Sequence, residues 1–296
     1  MRNLLFYLGI ILIWGSSWIG IKMQLGTVDP VVSVTYRFSL AACILLVWCL
    51  IKRLPMRFTL QEHRFILLQG LFLFGVNYLL FYIAELYIAS GLAAVIFSTI
   101  VLMNIVNGAI FLKSPIDHRV VFGGLLGLLG IGLVFKSEIT SLAASTESIL
   151  GIILSLFATL FASWGNIISA RNQKRSLPIV QTNAFGMAYG AAIMFFASIA
   201  TGREFLFDFS PQYIGSLLYL AMFGSVIAFG CYLSLIGKIG ADRAAYATLL
   251  FPIVALFIST IWEDYHWTAS AATGIVLILF GNLWILRRGR GVRAKT

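Results

Sequence analysis

Apolar and polar positions fall in blocks along this chain, long apolar runs separated by short polar ones. A bilayer core of about 30 Å demands roughly 20 apolar residues of a helix. Ten runs meet that demand, at 4–22, 31–51, 65–86, 90–112, 120–136, 149–170, 179–201, 212–235, 243–262 and 268–286. The pattern predicts an all-α integral membrane protein with ten transmembrane helices.

The blocks also repeat. At an offset close to 150 residues, Trp14-Gly15 meets Trp164-Gly165, Phe74-Gly75 meets Phe223-Gly224, Tyr82 meets Tyr232, Ala94 meets Ala244 and Gly124 meets Gly274. Asp29-Pro30-Val31-Val32 and Leu177-Pro178-Ile179-Val180 enter the second and seventh helices at an offset of 148. Each unit holds five helices, and an odd number forces the second copy into the opposite orientation. The expected architecture is therefore two inverted five-helix repeats, residues 1–138 and 147–288, followed by a basic cytoplasmic tail at 289–296. Inverted halves can exchange conformations about a shared site, which is how secondary transporters open to either side in turn. A duplicated scaffold that transports nothing, or a channel-like facilitator, is the competing reading.

Composition agrees with this picture. At 60% hydrophobic and 11% charged residues, with a mean hydropathy of +0.96, the chain has more apolar surface than one soluble core could bury. The lipid bilayer is thus its first partner. The net charge of +10 collects on alternate loops: all Lys and Arg except Lys22, Arg37, Lys136 and Arg203 fall on the side that holds both termini. By the positive-inside rule that side is cytoplasmic, and the same rule removes the need for a nucleic-acid partner. Arg2 is followed by an apolar run without a small-residue cleavage site, which reads as a retained first helix. Cys43, Cys49 and Cys231 have neither a disulfide framework nor metal-ligand spacing. The runs contain no histidine cluster, paired mid-depth carboxylates or activated nucleophile, and no nucleotide-binding motif. No enzyme, cofactor or metal site is expected. His266, beside Glu263 and Asp264, either joins them around a cation or sits in an ordinary solvated loop.

Trp14-Gly15-Ser16-Ser17, Arg37-Phe38 in the second helix, Ala93-Ala94 opening the fourth, and Phe251-Pro252-Ile253 with Trp262-Glu263 in the ninth resemble the EamA branch of the drug/metabolite transporter superfamily. The resemblance covers nearly the whole chain. It implies a bacterial inner-membrane carrier of small metabolites, often amino acids or related compounds, and frequently an exporter. It also implies a central cavity walled by helices 1, 3, 4, 6, 8 and 9, with 5 and 10 at the periphery. One departure stands out. Members often carry in the fourth helix a proline and a terminal glutamate matching Pro252 and Glu263, whereas here Leu102 and Lys113-Ser114 occupy those places. The first half is expected to flex differently from the second.

Candidate site residues follow from the polar groups inside the runs. Asn77, Tyr78, Phe81, Tyr82 and Glu85 recur at three- and four-residue steps, one broad stripe of the third helix. Asparagine and glutamate suit a wet cavity and not lipid. Glu85, near the outer end, is either an interfacial carboxylate or a group that binds a cation or carries a proton. Arg37 lies about 9 Å into its helix at 1.5 Å per residue; it is expected to pair with Glu85, with snorkelling or contact with an anionic substrate as alternatives. Trp14 and Trp164 lie deep in their helices, away from the interfacial belts. With Ser17 and Asn166 they either line the cavity from related positions or pack as knobs against glycine. Asn104 and Asn107 bind solute or bridge helices, and Tyr232 matches Tyr82. Pro252 predicts a bend, either a hinge or a fixed kink. Gly123, Gly124, Gly127, Gly130 and Gly132 form a small-residue face for packing within the fold or for a second copy, so the chain is expected as monomer or homodimer. The predicted solute is neutral to zwitterionic with an apolar portion, such as an amino acid or a drug-like compound.

Overall fold

The computed structural model describes residues 2–113, 118–134, 136, 146–232 and 246–286. The basic tail at 289–296, and Lys238 and Arg243 of the expected inner loops, lie outside the described residues. Among those described, the chain forms ten helical rods without strands. They are α1 (Arg2–Lys22), α2 (Pro30–Ile51), α3 (Leu60–Ala84), α4 (Ser90–Leu112), α5 (His118–Val134), α6 (Thr146–Lys174), α7 (Ile179–Ala200), α8 (Pro211–Tyr232), α9 (Tyr246–Trp262) and α10 (Ala269–Leu286). By length and composition α2, α3, α4, α6, α7 and α8 can each cross a bilayer, while α1, α5, α9 and α10 contribute shorter apolar stretches.

Local chemistry explains where the rods begin. Asp29 accepts from the Val31 N–H at 3.0 Å and is followed by Pro30; Ser210 caps α8 ahead of Pro211 in the same way. Proline fits the first helical position because no partner for its missing N–H is needed there. Thr59 and Glu62 close a reciprocal capping box at the start of α3, which satisfies two otherwise orphaned donors.

Two kinds of interruption disturb the α-helical ladder. α3 widens into π-helix over Gly70–Val76, and α8 does so over Leu220–Ile227, starting 150 residues later. α4 is broken at Ser98–Thr99, although it contains no proline. There the Ser98 and Thr99 hydroxyls donate back to the Val95 and Ile96 carbonyls at 2.7 Å each, local bonds that compete with the helical ladder. Hydroxyl back-bonding thus interrupts α4 where the first half has no proline to match Pro252 of α9.

α2 packs along α7, and α5 along α10. α1 lies on α9, α6 lies against α3 and α4, and α4 meets α9. Glycine permits the closest approaches. A Cβ on Gly130 would sit 2.5 Å from the Gly274 carbonyl oxygen, and one on Gly281 2.6 Å from that of Gly123. Gly127 and Gly132, by contrast, leave room for a Cβ, so only part of the expected small-residue face serves close packing within the fold.

One buried cluster gathers Val32, Phe38, Phe74, Met187 and Leu220, and a second gathers Trp18, Phe81, Ala94, Phe251 and Leu256. Large apolar side chains also point outward, among them Leu12 at 58%, Phe196 at 66% and Phe257 at 65% exposure. A water-soluble monomer rarely spreads such residues over its surface; a helix in lipid does so by necessity. The chain is a multi-pass membrane protein.

Candidate functional site

A cavity of about 220 Å³, partly open to solvent, lies among the rods. α1, α3, α4, α6, α8 and α9 all wall it, and α2 adds Arg37. α5, α7 and α10 contribute no lining residue among those described. The walls are mainly apolar, with a few polar groups that converge, as binding sites for small molecules usually are.

Of the sequence-predicted residues, Trp14, Ser17, Asn77, Tyr78, Phe81, Asn104, Asn166 and Tyr232 line this cavity. Trp14 donates from Nε1 to the Gly224 carbonyl at 3.3 Å and meets the rings of Phe229 and Tyr232 at 5.4 and 5.1 Å. Its partner carbonyl belongs to the π-helical stretch of α8, where the backbone ladder is rewound. Asn77 turns its amide back to the Leu73 carbonyl at 2.9 Å. Asn166 reaches Asn104 at 3.5 Å, so these two both border the cavity and span α4 and α6. Asn107 is a bridge, donating to Ser163 at 2.8 Å while buried.

Tyr82, Glu85 and Trp164 do not line the cavity, which corrects three expectations. At about 100° per residue Phe81 lies about 40° from Asn77 around α3, while Tyr82 lies about 140° away. Tyr82 therefore turns into the core and donates to Gln24 Oε1. Glu85, a full turn past Phe81, is fully buried and outside the cavity lining. Trp164 packs on Phe72 and Phe161 at 5.5 and 5.2 Å, because helix rotation is set by its neighbours: Gly165 abuts Leu73 of α3 and Ser163 binds Asn107 of α4.

The Arg37–Glu85 ion pair is also absent. Arg37, 1% exposed, donates from Nε to Ser225 Oγ at 3.2 Å, and its guanidinium lies over the Tyr78 ring at 4.4 Å and the Phe38 ring at 5.2 Å. Its Nη1 has no hydrogen-bond partner, nor does either Glu85 carboxylate oxygen. The π-helical stretch of α8 presents Ser225 to the guanidinium first, and Tyr78 covers it. Cation–π contacts in dry surroundings are worth about 2 kcal/mol, comparable with the roughly 1–3 kcal/mol at stake in one buried unsatisfied donor.

Four aromatic residues close one end of the cavity: Trp18, Phe81, Phe97 and Phe251, from α1, α3, α4 and α9. Trp18 meets Phe81 at 4.9 Å and Phe97 at 5.7 Å, and stacks with Phe251 at 6.3 Å. The sequence reading missed Trp18, Phe97, Phe229 and Phe251 as wall residues. Trp18 had a signal, being one helical turn beyond Trp14 on the same face. Phe97 and Phe251 had none that periodicity exposes, since their inward aim depends on the adjacent interruptions of α4 and α9.

Beyond the aromatic end lies a polar cluster. Residue Ala89 at the start of α4 has no side chain with which to cap it, and Glu263 from the end of α9 takes over. Its two oxygens accept from the Ser90 N–H at 3.1 Å each, from the Ser90 hydroxyl, and from Ser259 Oγ at 2.6 Å. Lys22 Nζ lies 4.0 Å from Glu263 and donates to the Glu85 backbone carbonyl. Glu263 is therefore committed to protein partners and does not join His266 in a solvated or cation-binding group. Glu263→Ala is expected to lower stability by about 1–2 kcal/mol, as loss of a helix cap does, while Glu263→Gln keeps part of it. Thermal melting of the two purified variants checks this; an unchanged alanine variant would show the cap to be slack.

Comparison with known proteins gives these features a context. A protein named PagO from Salmonella typhimurium is 25% identical over 280 residues, covering 94% of this chain and 88% of its own length. A protein from Escherichia coli named as a probable amino-acid metabolite efflux pump is 26% identical over 296 residues, covering 96% of this chain and 95% of its own. A solved crystal structure shares the fold at a TM-score of 0.69, with 15% identity, over 97% of this chain and 99% of that one. The model of the EamA-like transporter family matches twice, at residues 1–136 and 149–287, and the chain belongs to that family.

Proposed function

We propose that the protein is a secondary carrier that moves a small amphipathic metabolite across the bacterial inner membrane by alternating access. The observation that carries the reading is the central cavity, walled by α1, α3 and α4 from one half of the chain and by α6, α8 and α9 from the other. A site at the junction of two related halves is where exchange of their conformations opens it alternately to each side. Several further features support ten membrane crossings in two inverted five-helix repeats, residues 1–138 and 147–288. The π-helical stretches recur 150 residues apart, α2 pairs with α7 and α5 with α10, and the family model matches each half. The hinge we assign to Pro252 in α9, with the Ser98–Thr99 break of α4 as its counterpart.

Sidedness follows from charge. One end gathers Asp29 with Arg203 at 3.3 Å, and Lys22 with Glu263. The other gathers Arg171 over Phe65 at 3.1 Å, Tyr189 with His63 at 2.9 Å and Gln181 near Pro55, next to the loops rich in Lys and Arg. The positive-inside rule makes this second end cytoplasmic, with both termini. The E. coli relative's name favours export of an amino acid or related compound.

Purified protein in liposomes tests the reading. Saturable uptake of a candidate amino acid, accelerated by the same solute on the far side, is the expected result. Flux that rises without saturation identifies a channel instead, and no flux for any member of an amino-acid and drug panel identifies a scaffold.

A further inference from the structure

We infer that Arg37 is the anchor for an anionic group, and that the solute held in the cavity is a carboxylate with an apolar body. The inference deepens the carrier reading and rests on it for passage of the solute, not for binding. Of the described residues bordering the cavity, Arg37 alone is formally charged; no aspartate or glutamate is among them. Around the guanidinium, one side is held by Ser225 Oγ through Nε and one face by the Tyr78 ring, while Nη1 is left without a partner. The acids closest to hand are otherwise placed. Glu263 is bound by Ser90 and Ser259, and Glu85 is not among the lining residues and makes no hydrogen bond to Arg37.

A buried guanidinium lacking a carboxylate partner has unmet demand for one. Its planar fork matches a carboxylate with two parallel hydrogen bonds, a geometry that a lysine cannot reproduce. The remaining walls suit the rest of such a solute. Trp14, Phe229 and Tyr232 offer ring faces and edges to an apolar body, and Asn77, Asn104 and Asn166 offer uncharged hydrogen bonds. No acidic side chain in the described lining neutralises a cation, so a solute with only an ammonium head meets repulsion from Arg37 that the aromatic walls offset only in part. Arg37 is 1% exposed and lies against Tyr78, so the incoming carboxylate must displace that ring. Occupancy of the site is thereby coupled to a movement of the Tyr78 side chain.

The test uses purified full-length protein and matched solutes that share a body and differ in the head group: phenylacetate, phenylacetamide and phenethylamine, with the corresponding indole and alkyl sets. Binding is read by thermal shift, since a ligand that binds only the folded state raises its melting temperature. The expected result is stabilisation by carboxylates, with amides and amines weaker by about tenfold or more, as loss of a charge-assisted bond implies. Arg37→Gln is expected to abolish that preference. If Arg37→Gln does not fold, Arg37→Lys replaces it, with weakened carboxylate binding expected. The inference is overturned if no carboxylate stabilises the protein, if amides or amines match the carboxylates, or if a folded Arg37 variant binds carboxylates like the wild type. A carboxylate that binds through Arg37 yet shows neither saturable flux nor counterflow sinks the carrier reading and leaves the anion site standing. Saturable flux equal for all head groups does the reverse.

Discussion

Trp18→Ala is expected to cost about 3–5 kcal/mol of stability, the range for removing a buried aromatic side chain, and to open the closed end of the cavity. Trp18 is 8% exposed and touches three other rings, on α3, α4 and α9. Those contacts link four helices at one level, so the loss is not confined to α1. The substitution leaves a void between Phe81, Phe97 and Phe251, which otherwise form a chain of contacts, Phe81 to Phe97 at 5.6 Å and Phe97 to Phe251 at 5.9 Å. The Ser90–Glu263 cap ties the start of α4 to the end of α9 and limits how far either helix can move alone into the gap. Trp18→Phe, which keeps a ring, should retain most of the stability. Thermal melting of both variants gives the first readout, and unsaturable leak of a small neutral solute from liposomes gives the second. An alanine variant that melts like the wild type and leaks no faster would show that the rings touch without sealing anything.

The second large effect is expected at Gly165. A Cβ there would lie 2.6 Å from Leu73 Cβ and 2.9 and 3.0 Å from the Leu73 backbone N and Cα. A flexible side chain could swing aside, but a backbone cannot. Gly165→Ala must therefore push α6 away from the π-helical stretch of α3, at a cost of about 1–3 kcal/mol or more. Because Leu73 and Asn166 border the cavity on either side of this contact, saturable flux should fall along with the melting temperature. Gly127→Ala is the control. A Cβ on Gly127 meets nothing within 4 Å, and alanine is the better helix former by about 1 kcal/mol, so this variant should be as stable as the wild type or slightly more so. Equal behaviour of the two alanine variants would show that the α3–α6 contact is not rigid.

The two tryptophan–glycine elements show how far the sequence could be read. Each marks a tight helix contact: a Cβ on Gly15 would sit 2.6 Å from Val254 of α9, and one on Gly165 would sit 2.6 Å from Leu73 of α3. Only Trp14 borders the cavity, though. Repetition in sequence predicts the same local packing in both halves, but the open space need not be symmetric. The stripe on α3 teaches a related point. Periodicity correctly grouped Asn77, Tyr78 and Phe81, yet it measures angle around one helix and contains no depth, so it ran on to Glu85, outside the cavity lining. The Arg37–Glu85 pairing was expected because two opposite charges lay at compatible heights. Its failure turned on Ser225 and Tyr78, uncharged residues on other helices that no charge argument would choose.

By itself the sequence determined where the apolar helices run, that their outer surface belongs in lipid, that the unit recurs near 150 residues, and that polar groups, several of which border one cavity, are placed inside apolar runs. These are properties of single segments, written in composition and periodicity. Only the tertiary structure decided which polar groups share one cavity, which aromatic rings close it, and that Arg37 faces Tyr78 and Ser225 with one nitrogen unpaired. Those outcomes depend on how each helix is rotated against its neighbours, and rotation is set by contacts such as glycine on backbone, together with the two π-helical stretches, that join residues distant in the chain.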